Sequence, residues 1–158
     1  MKNMAKAYLV VRMSGQINVP HWAKNTLTLL KLDKKFRATI IPEKENTLGM
    51  LNRVKHYVSW QEVSADIAKE LFSKKGRKAG YKKISNDDLT PLGFKSIDEL
   101  ASSVSEGKTS MNKIKPIKPW FALAPPRKGF KRSTRKTYGE GGVLGQNKEL
   151  VELVRSMI

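Results

Sequence analysis

Apolar positions in the first third of the chain switch between two spacings. Tyr8-Leu9-Val10-Val11-Arg12-Met13 is apolar and β-branched and predicts a strand, ended by Ser14-Gly15-Gln16. Ala23, Leu27 and Leu30 then recur at i, i+4 and i+7, the stripe of an amphipathic helix, and Leu29 and Leu32 widen it. Pro20, two residues after Asn18, suits the first turn of that helix. Phe36-Arg37-Ala38-Thr39-Ile40-Ile41 predicts a second strand, stopped by Pro42. Asn46 and Thr47 are N-cap candidates for a second helix with Leu48, Leu51, Val54 and Val58 on one face. Asn52, Arg53 and Lys55 lie off that face, and Tyr57-Val58-Ser59-Trp60 leads into a third strand. Residues 1–62 therefore read β-α-β-α-β, an α+β module in which two helices cover one face of a three-stranded sheet. The pattern leaves the strand order open.

The pattern then changes. Residues 63–107 are mostly helical. Ser64 can cap a helix carrying Ile67, Ala68, Leu71 and Phe72. Ser96 and Glu99 have capping-box spacing ahead of Ile97, Leu100, Ala101 and Val104. A basic loop lies between: Lys74, Lys75, Arg77, Lys78, Lys82 and Lys83, broken by Gly76 and Gly80. In residues 108–158, Pro116, Pro119, Pro125 and Pro126 oppose helix, and Trp120-Phe121-Ala122-Leu123 predicts a short strand. Arg127 to Lys136 is basic and apolar-poor, which predicts an extended arm without order of its own. A short final helix follows, with Leu150, Val151, Val154, Met157 and Ile158 on one side and Asn147 as its cap.

Charge sharpens this division. The chain has 158 residues, 31 Lys+Arg against 14 Asp+Glu, and a formal net charge of +17. Residues 1–60 hold 11 basic and 3 acidic side chains, residues 61–107 hold 8 and 8, and residues 108–158 hold 12 and 3. Solubility needs a net charge of only about 2–8 and has no reason to spare the middle. Two phosphate-facing ends joined by a neutral segment fit better.

Little in the chain supports catalysis. The absence of cysteine excludes disulfides, thiolate zinc sites and thiol chemistry, and is compatible with a reducing cytoplasm. No apolar run approaches the roughly 20 residues that span a bilayer, and the apolar stretch behind the basic start Met1–Lys6 is too short for a secretory signal. His21 and His56, the only histidines, fall on separate predicted helices. Gly139-Glu140-Gly141-Gly142-Val143-Leu144-Gly145 misses the dinucleotide fingerprint and follows no strand of a βαβ unit, so these glycines read as turns allowing close backbone approach. Asp87-Asp88 and Asp98-Glu99 read as helix-start carboxylates. What remains is a binding surface. Pro125-Pro126-Arg127-Lys128-Gly129-Phe130-Lys131-Arg132 joins stiff prolines and glycine to four cations suited to phosphate. Phe130 could stack on an unpaired base or pack on the domain, while packing is the favoured reading for Trp120.

Three segments carry a resemblance to a known family. The first is the strand with Arg12, the helix Thr26-Leu27-Thr28-Leu29-Leu30-Lys31-Leu32, and Thr47-Leu48-Gly49-Met50-Leu51 with Val54, where the Gly49-Met50 pair is typical. The second is Tyr57-Val58-Ser59-Trp60-Gln61-Glu62, with Gln61 where relatives usually carry glycine. The third, and most specific, is Phe121-Ala122-Leu123-Ala124-Pro125-Pro126-Arg127-Lys128-Gly129-Phe130 with Glu140-Gly141-Gly142-Val143-Leu144-Gly145 downstream; relatives often have two glycines after the arginine, and Lys128 takes the first place. From about Ala5 onward the chain resembles the archaeal form of large-ribosomal-subunit protein number thirty, whose eukaryotic relative is numbered seven. The resemblance implies three antiparallel strands with two helices on one side and binding to large-subunit ribosomal RNA without catalysis or cofactor. It also implies neighbouring large-subunit proteins, a cytoplasmic address and contact with 5S RNA. The residues expected on RNA are Arg12, Gly49, Met50, Asn52, Arg53 and Lys55 in the module. In the arm they are Arg127, Lys128, Gly129, Phe130, Lys131, Arg132, Arg135 and Lys136. The rival readings are a chromatin-type protein binding DNA without sequence preference and an RNA-modifying enzyme; the latter lacks a convergent acid–base site.

Overall fold

The structure is a computed structural model that describes residues 7–114 and 117–158. Pro116 and the basic start Met1–Lys6 lie outside the described residues. In chain order the elements are β1 (Ala7–Arg12), α1 (His21–Leu29), β2 (Arg37–Pro42), α2 (Thr47–Arg53), β3 (Val58–Glu62), α3 (Ala65–Lys75), β4 (Arg77–Lys78), β5 (Lys82–Lys83), α4 (Asn86–Leu89), α5 (Ile97–Ser105), β6 (Phe121–Ala122), β7 (Ser133–Thr137), β8 (Gly142–Gln146) and α6 (Leu150–Met157).

The expected α+β module is present. Strand β1 is central and antiparallel to both β2 and β3, with Val10 opposite Thr39 on one side and Trp60 on the other. Three further strands extend the sheet, giving the order β6-β2-β1-β3-β8-β7. Strand β6 runs antiparallel to β2, whereas β8 joins β3 in parallel and β7 joins β8 in parallel.

Both faces of this sheet are covered. Tyr8, Val10, Val58 and Trp60 face α1 and α2 through Ala23, Leu27, Leu51 and Val54. Ala7, Leu9 and Val11 face the other way, onto α3, α5 and α6 through Leu71, Leu100 and Val154. The two-layer sandwich expected for residues 1–62 thus gains a third layer from the middle and C-terminal segments. The physical reason is visible in β1, whose six residues are all buried. A strand covered on both faces has a continuous apolar run rather than an alternating one. Phe72 of α3 meets Phe121 of β6 edge-on at 5.1 Å, tying the middle and C-terminal segments into one core.

Several local expectations shift. Leu29, placed on the buried stripe of α1, is 69% exposed, and Leu48 of α2 is also exposed. Helix α1 ends at Leu29, and the chain turns before Leu32 is buried. Neither Asn46 nor Ser64 caps with its side chain. Thr47 instead braces the turn before α2, its Oγ1 donating to the Pro42 carbonyl and accepting from the Lys44 N–H. Ser96 Oγ does accept from the Glu99 N–H at 3.4 Å, but the Glu99 carboxylate accepts from the Lys95 N–H at 2.9 Å, one residue outside a true box.

The reciprocal box belongs to Ser85 and Asp88 at the start of α4. The Ser85 N–H and hydroxyl and the Lys78 ammonium hold the Asp88 carboxyl down to about 2, so it stays ionised. That is the chemistry of a helix-start carboxylate rather than of a general acid.

Candidate nucleic-acid interface

The basic motif after β6 is laid against the body step by step. The Leu123 N–H donates to the Phe36 carbonyl, the Ala124 N–H to Met157, and the Arg127 N–H to Ser156. Pro125 and Pro126 supply the stiff segment between these anchors. A turn follows, closed by the Gly129 N–H on the Pro126 carbonyl at 3.1 Å. Lys128 and Gly129 both adopt left-handed backbone there, with φ of 63° and 74°. Phe130 then stacks on Phe36, ring centroids 6.1 Å apart and 28° from parallel. The Phe130 ring thus packs on the domain and stays half-buried.

Residues 127–132 form one wall of a cavity of about 390 Å³ whose other wall includes Asn147, Glu149, Glu152, Leu153 and Ser156 at α6. Its lining mixes four cations, Arg127, Lys128, Lys131 and Arg132, with the carboxylates of Glu149 and Glu152. Arg132 is already committed: its guanidinium lies 4.5 Å from the Tyr138 ring centroid, donates to the Tyr138 carbonyl at 3.3 Å and pairs with Glu149 at 3.3 Å. Arg127 is exposed and reaches the Ile158 carbonyl at 3.4 Å. Lys128, Lys131, Arg135 and Lys136 are exposed and form no ion pair among the described residues.

The segment expected to lack order carries a strand. Arg135 and Lys136 sit on β7, at the sheet's outer edge, with no fully buried side chain along it. The glycine run explains how β7 is held. Gly141 turns with φ of 90°, and a Cβ on Gly142 would collide with the Lys136 backbone. The close approach expected of these glycines is therefore made by the chain's own β7. Asn147 is buried beneath, its Oδ1 accepting from the Glu149 N–H at 2.9 Å and its Nδ2 donating to Val143.

The module's candidates divide. Arg12, expected on RNA, is 3% exposed. Its guanidinium donates to the carbonyls of Leu32 at 2.7 Å, Ser14 at 3.0 Å and Gly15 at 3.1 Å. Burial lowers its pKa and Asp33 partly offsets this, but arginine remains charged. Arg12 thus fixes the turn after β1, and its burial keeps the guanidinium from an outside partner. Gly49, Asn52, Arg53 and Lys55 are exposed around α2, and Met50 is half-buried against α2's own core. Arg53 lies 5.6 Å from the ring centroid of Trp22 on α1. None of these residues lines the cavity beside α6, so the two basic ends form two patches rather than one site.

Among the described residues no three His, Cys, Asp or Glu side chains converge on a metal position, and no helix is long and apolar enough to cross a membrane.

Residues 8–58 match the model of the family described as "Ribosomal protein L30p/L7e", a range that runs from β1 to the start of β3. The chain is 63% identical over 155 residues to "Large ribosomal subunit protein uL30" of Cenarchaeum symbiosum, covering 98% of this chain and 100% of that one. This chain belongs to the L30p/L7e family. The protein of the same name from Nitrosopumilus maritimus is 57% identical over 98% of this chain and 100% of its own, and that from Staphylothermus marinus 38% over the same shares.

Two positions at which the resemblance leads one to expect glycine have structural readings. Gln61 Oε1 accepts from the Val151 N–H at 3.2 Å, serving a donor in the first turn of α6. Lys128 holds a left-handed position that glycine fills without strain. Lys128→Gly is expected to stabilise the free protein by about 1 kcal/mol, read as a higher urea midpoint. It is also expected to reduce the salt dependence of RNA binding by about one phosphate contact. An unchanged salt slope would remove Lys128 from the RNA-contacting set.

Proposed function

We propose that this L30p/L7e chain is a structural constituent of the large ribosomal subunit in the cytoplasm, where it binds and stabilises folded ribosomal RNA. The observation that carries this reading is the row of exposed, uncompensated cations on the edge strand and adjoining turn: Lys128, Lys131, Arg135 and Lys136. They stand on a paired strand and the turn before it rather than on a loose tail, and so offer phosphates a defined spacing. Fixed spacing selects a folded RNA by shape, with little reading of bases. Arg53 and Lys55 supply the second patch, on the opposite side of the sheet from α6. Gly49 supports contact there: it sits exposed in a helix, where glycine costs about 1 kcal/mol, and nothing lies within 4 Å of where its Cβ would be. A close external approach accounts for it. Exposed Ile17, Leu29 and Leu48 suit neighbouring large-subunit proteins, and 5S RNA is a further partner in this reading.

If about eight phosphates are engaged, log affinity falls against log salt with a slope of roughly −6 to −7. Competition tests the class of partner. Duplex DNA is expected to displace structured large-subunit RNA only at large excess. Equal competition by DNA would favour the chromatin-type alternative.

A further inference from the structure

Away from both patches, the β4–β5 hairpin presents an aromatic residue in an unfavourable backbone. The hairpin pairs Arg77 with Lys83 and Lys78 with Lys82, and its tip is Ala79-Gly80-Tyr81. It is fastened to the body by the Lys118 N–H on the Arg77 carbonyl at 2.8 Å and by a bridge between Lys78 and Ile117. Gly80 has φ of 79°, as glycine readily does, but Tyr81 has φ of 61°. For a bulky side chain that is an outlier, and such strain is retained where a function or strong packing demands it. Packing does not supply the demand, because Tyr81 is 52% exposed.

The surroundings of Tyr81 are specific. Trp120 lies 6.5 Å away, ring centroid to centroid, at 34°. Arg37 covers Trp120 at 3.9 Å, and pairing of Arg37 with Ala122 fixes the strand that Trp120 precedes. Lys118 stands 5.0 Å from the Trp120 ring and 5.7 Å from the Tyr81 ring, and Arg77 stands 5.5 Å from Tyr81. Asp33 pairs with Arg37 at 3.7 Å and Asp88 with Lys78 at 3.0 Å, so these two carboxylates are already taken. A half-exposed ring with cations around it fits a planar group carried on a phosphate chain. An acidic protein segment would engage the cations but give no use to a strained, exposed ring.

We propose that Tyr81 and Trp120 form a stacking platform for one unpaired base of the bound RNA, with Arg77 and Lys118 holding the phosphates that flank it. This rests on the proposed ribosomal-RNA binding and adds a contact through the neutral middle segment. The cluster escapes a sequence search because Arg37, Tyr81 and the Lys118–Trp120 pair come from three separate stretches of chain.

The test uses the full chain and two fluorescent probes of equal length: a ten-nucleotide oligoadenylate and the same ribose–phosphate chain without bases. The parent is expected to bind the base-bearing probe about tenfold more tightly, in the range for one aromatic–base stack. Tyr81→Gly removes the ring at a position that suits glycine, so its thermal midpoint is expected to be no lower than the parent's. Its preference for bases is expected to fall to about one- to twofold, with binding of the base-free probe retained. Lys118→Gln is expected to weaken both probes alike. Equal binding of the two probes by the parent, or an undiminished preference in Tyr81→Gly, overturns the platform. Should the parent show no base preference yet still bind large-subunit RNA, only the platform falls; if it binds neither, the proposed function falls as well.

Discussion

Replacing Lys131, Arg135 and Lys136 together by glutamine is expected to weaken binding to large-subunit ribosomal RNA about 100-fold near 0.15 M salt. The three side chains are exposed and form no ion pair among the described residues, so each is available to displace counterions from a phosphate. At about 0.7–0.9 counterions per contact, the slope of log affinity against log salt should become shallower by about 2–3. Extrapolated to 1 M salt, variant and parent should converge, because the lost term is counterion release. A control variant loses Lys69, Lys95 and Lys108, with the same change in net charge. Two of these already pair with carboxylates, Lys69 with Asp98 and Lys108 with Glu106. Its slope is expected to move by less than one unit. Equal effects in the two variants would mean that only overall charge matters, and that β7 has no special place on the RNA. Titration of both variants across a salt series decides the matter.

The second large effect concerns stability. Arg12→Met is expected to lower folding stability by about 3 kcal/mol, because it leaves three carbonyls around a buried guanidinium site without their donor. For a chain of this size that is a fall of about 6–12 °C in melting temperature. At a temperature where the variant is folded, its RNA salt slope should match the parent's. The opposite pattern, an unchanged melting temperature with a shallower slope, would return Arg12 to the RNA contacts that its sequence position first suggested. Thermal melts and salt titrations on the same preparation separate the two.

Arg12 also shows where reading the sequence stops. A cation at the end of an apolar strand is normally solvent-facing, and nothing near it in sequence announces that Leu32 will bring a carbonyl to 2.7 Å. The same holds for β7. Ser133-Thr134-Arg135-Lys136-Thr137 has no apolar side chain, so neither period appears, and the strand depends on main-chain pairing with β8 and on the small size of Gly142.

The elements that were legible bury a stripe of their own. In α3, Ile67, Ala68, Leu71 and Phe72 fall on the core as spaced, and in α5 Leu100, Ala101 and Val104 do likewise. Where spacing misled, Leu29 and Leu48 fall off the faces that are buried, Ala23, Thr26 and Leu27 in α1 and Thr47 and Leu51 in α2. The third layer of helices was hinted at by the unbroken apolar run of β1. Only the tertiary arrangement shows that α3, α5 and α6 cover its second face. For the candidate interface, composition was enough to find the basic stretch after Pro125. It could not show that Phe130 packs on Phe36, that Arg132 is held by Glu149, or that the remaining cations stand on a strand edge.

Sedimentation of cell lysate through gradients at moderate and then high salt asks the decisive question of where the chain resides. The chain is expected to travel with the large ribosomal subunit at moderate salt and to be released as salt rises, following the steep slope set by its phosphate contacts. A chain that stays at the top of the gradient at moderate salt, and that in purified form ignores large-subunit RNA at low ionic strength, would contradict a ribosomal role.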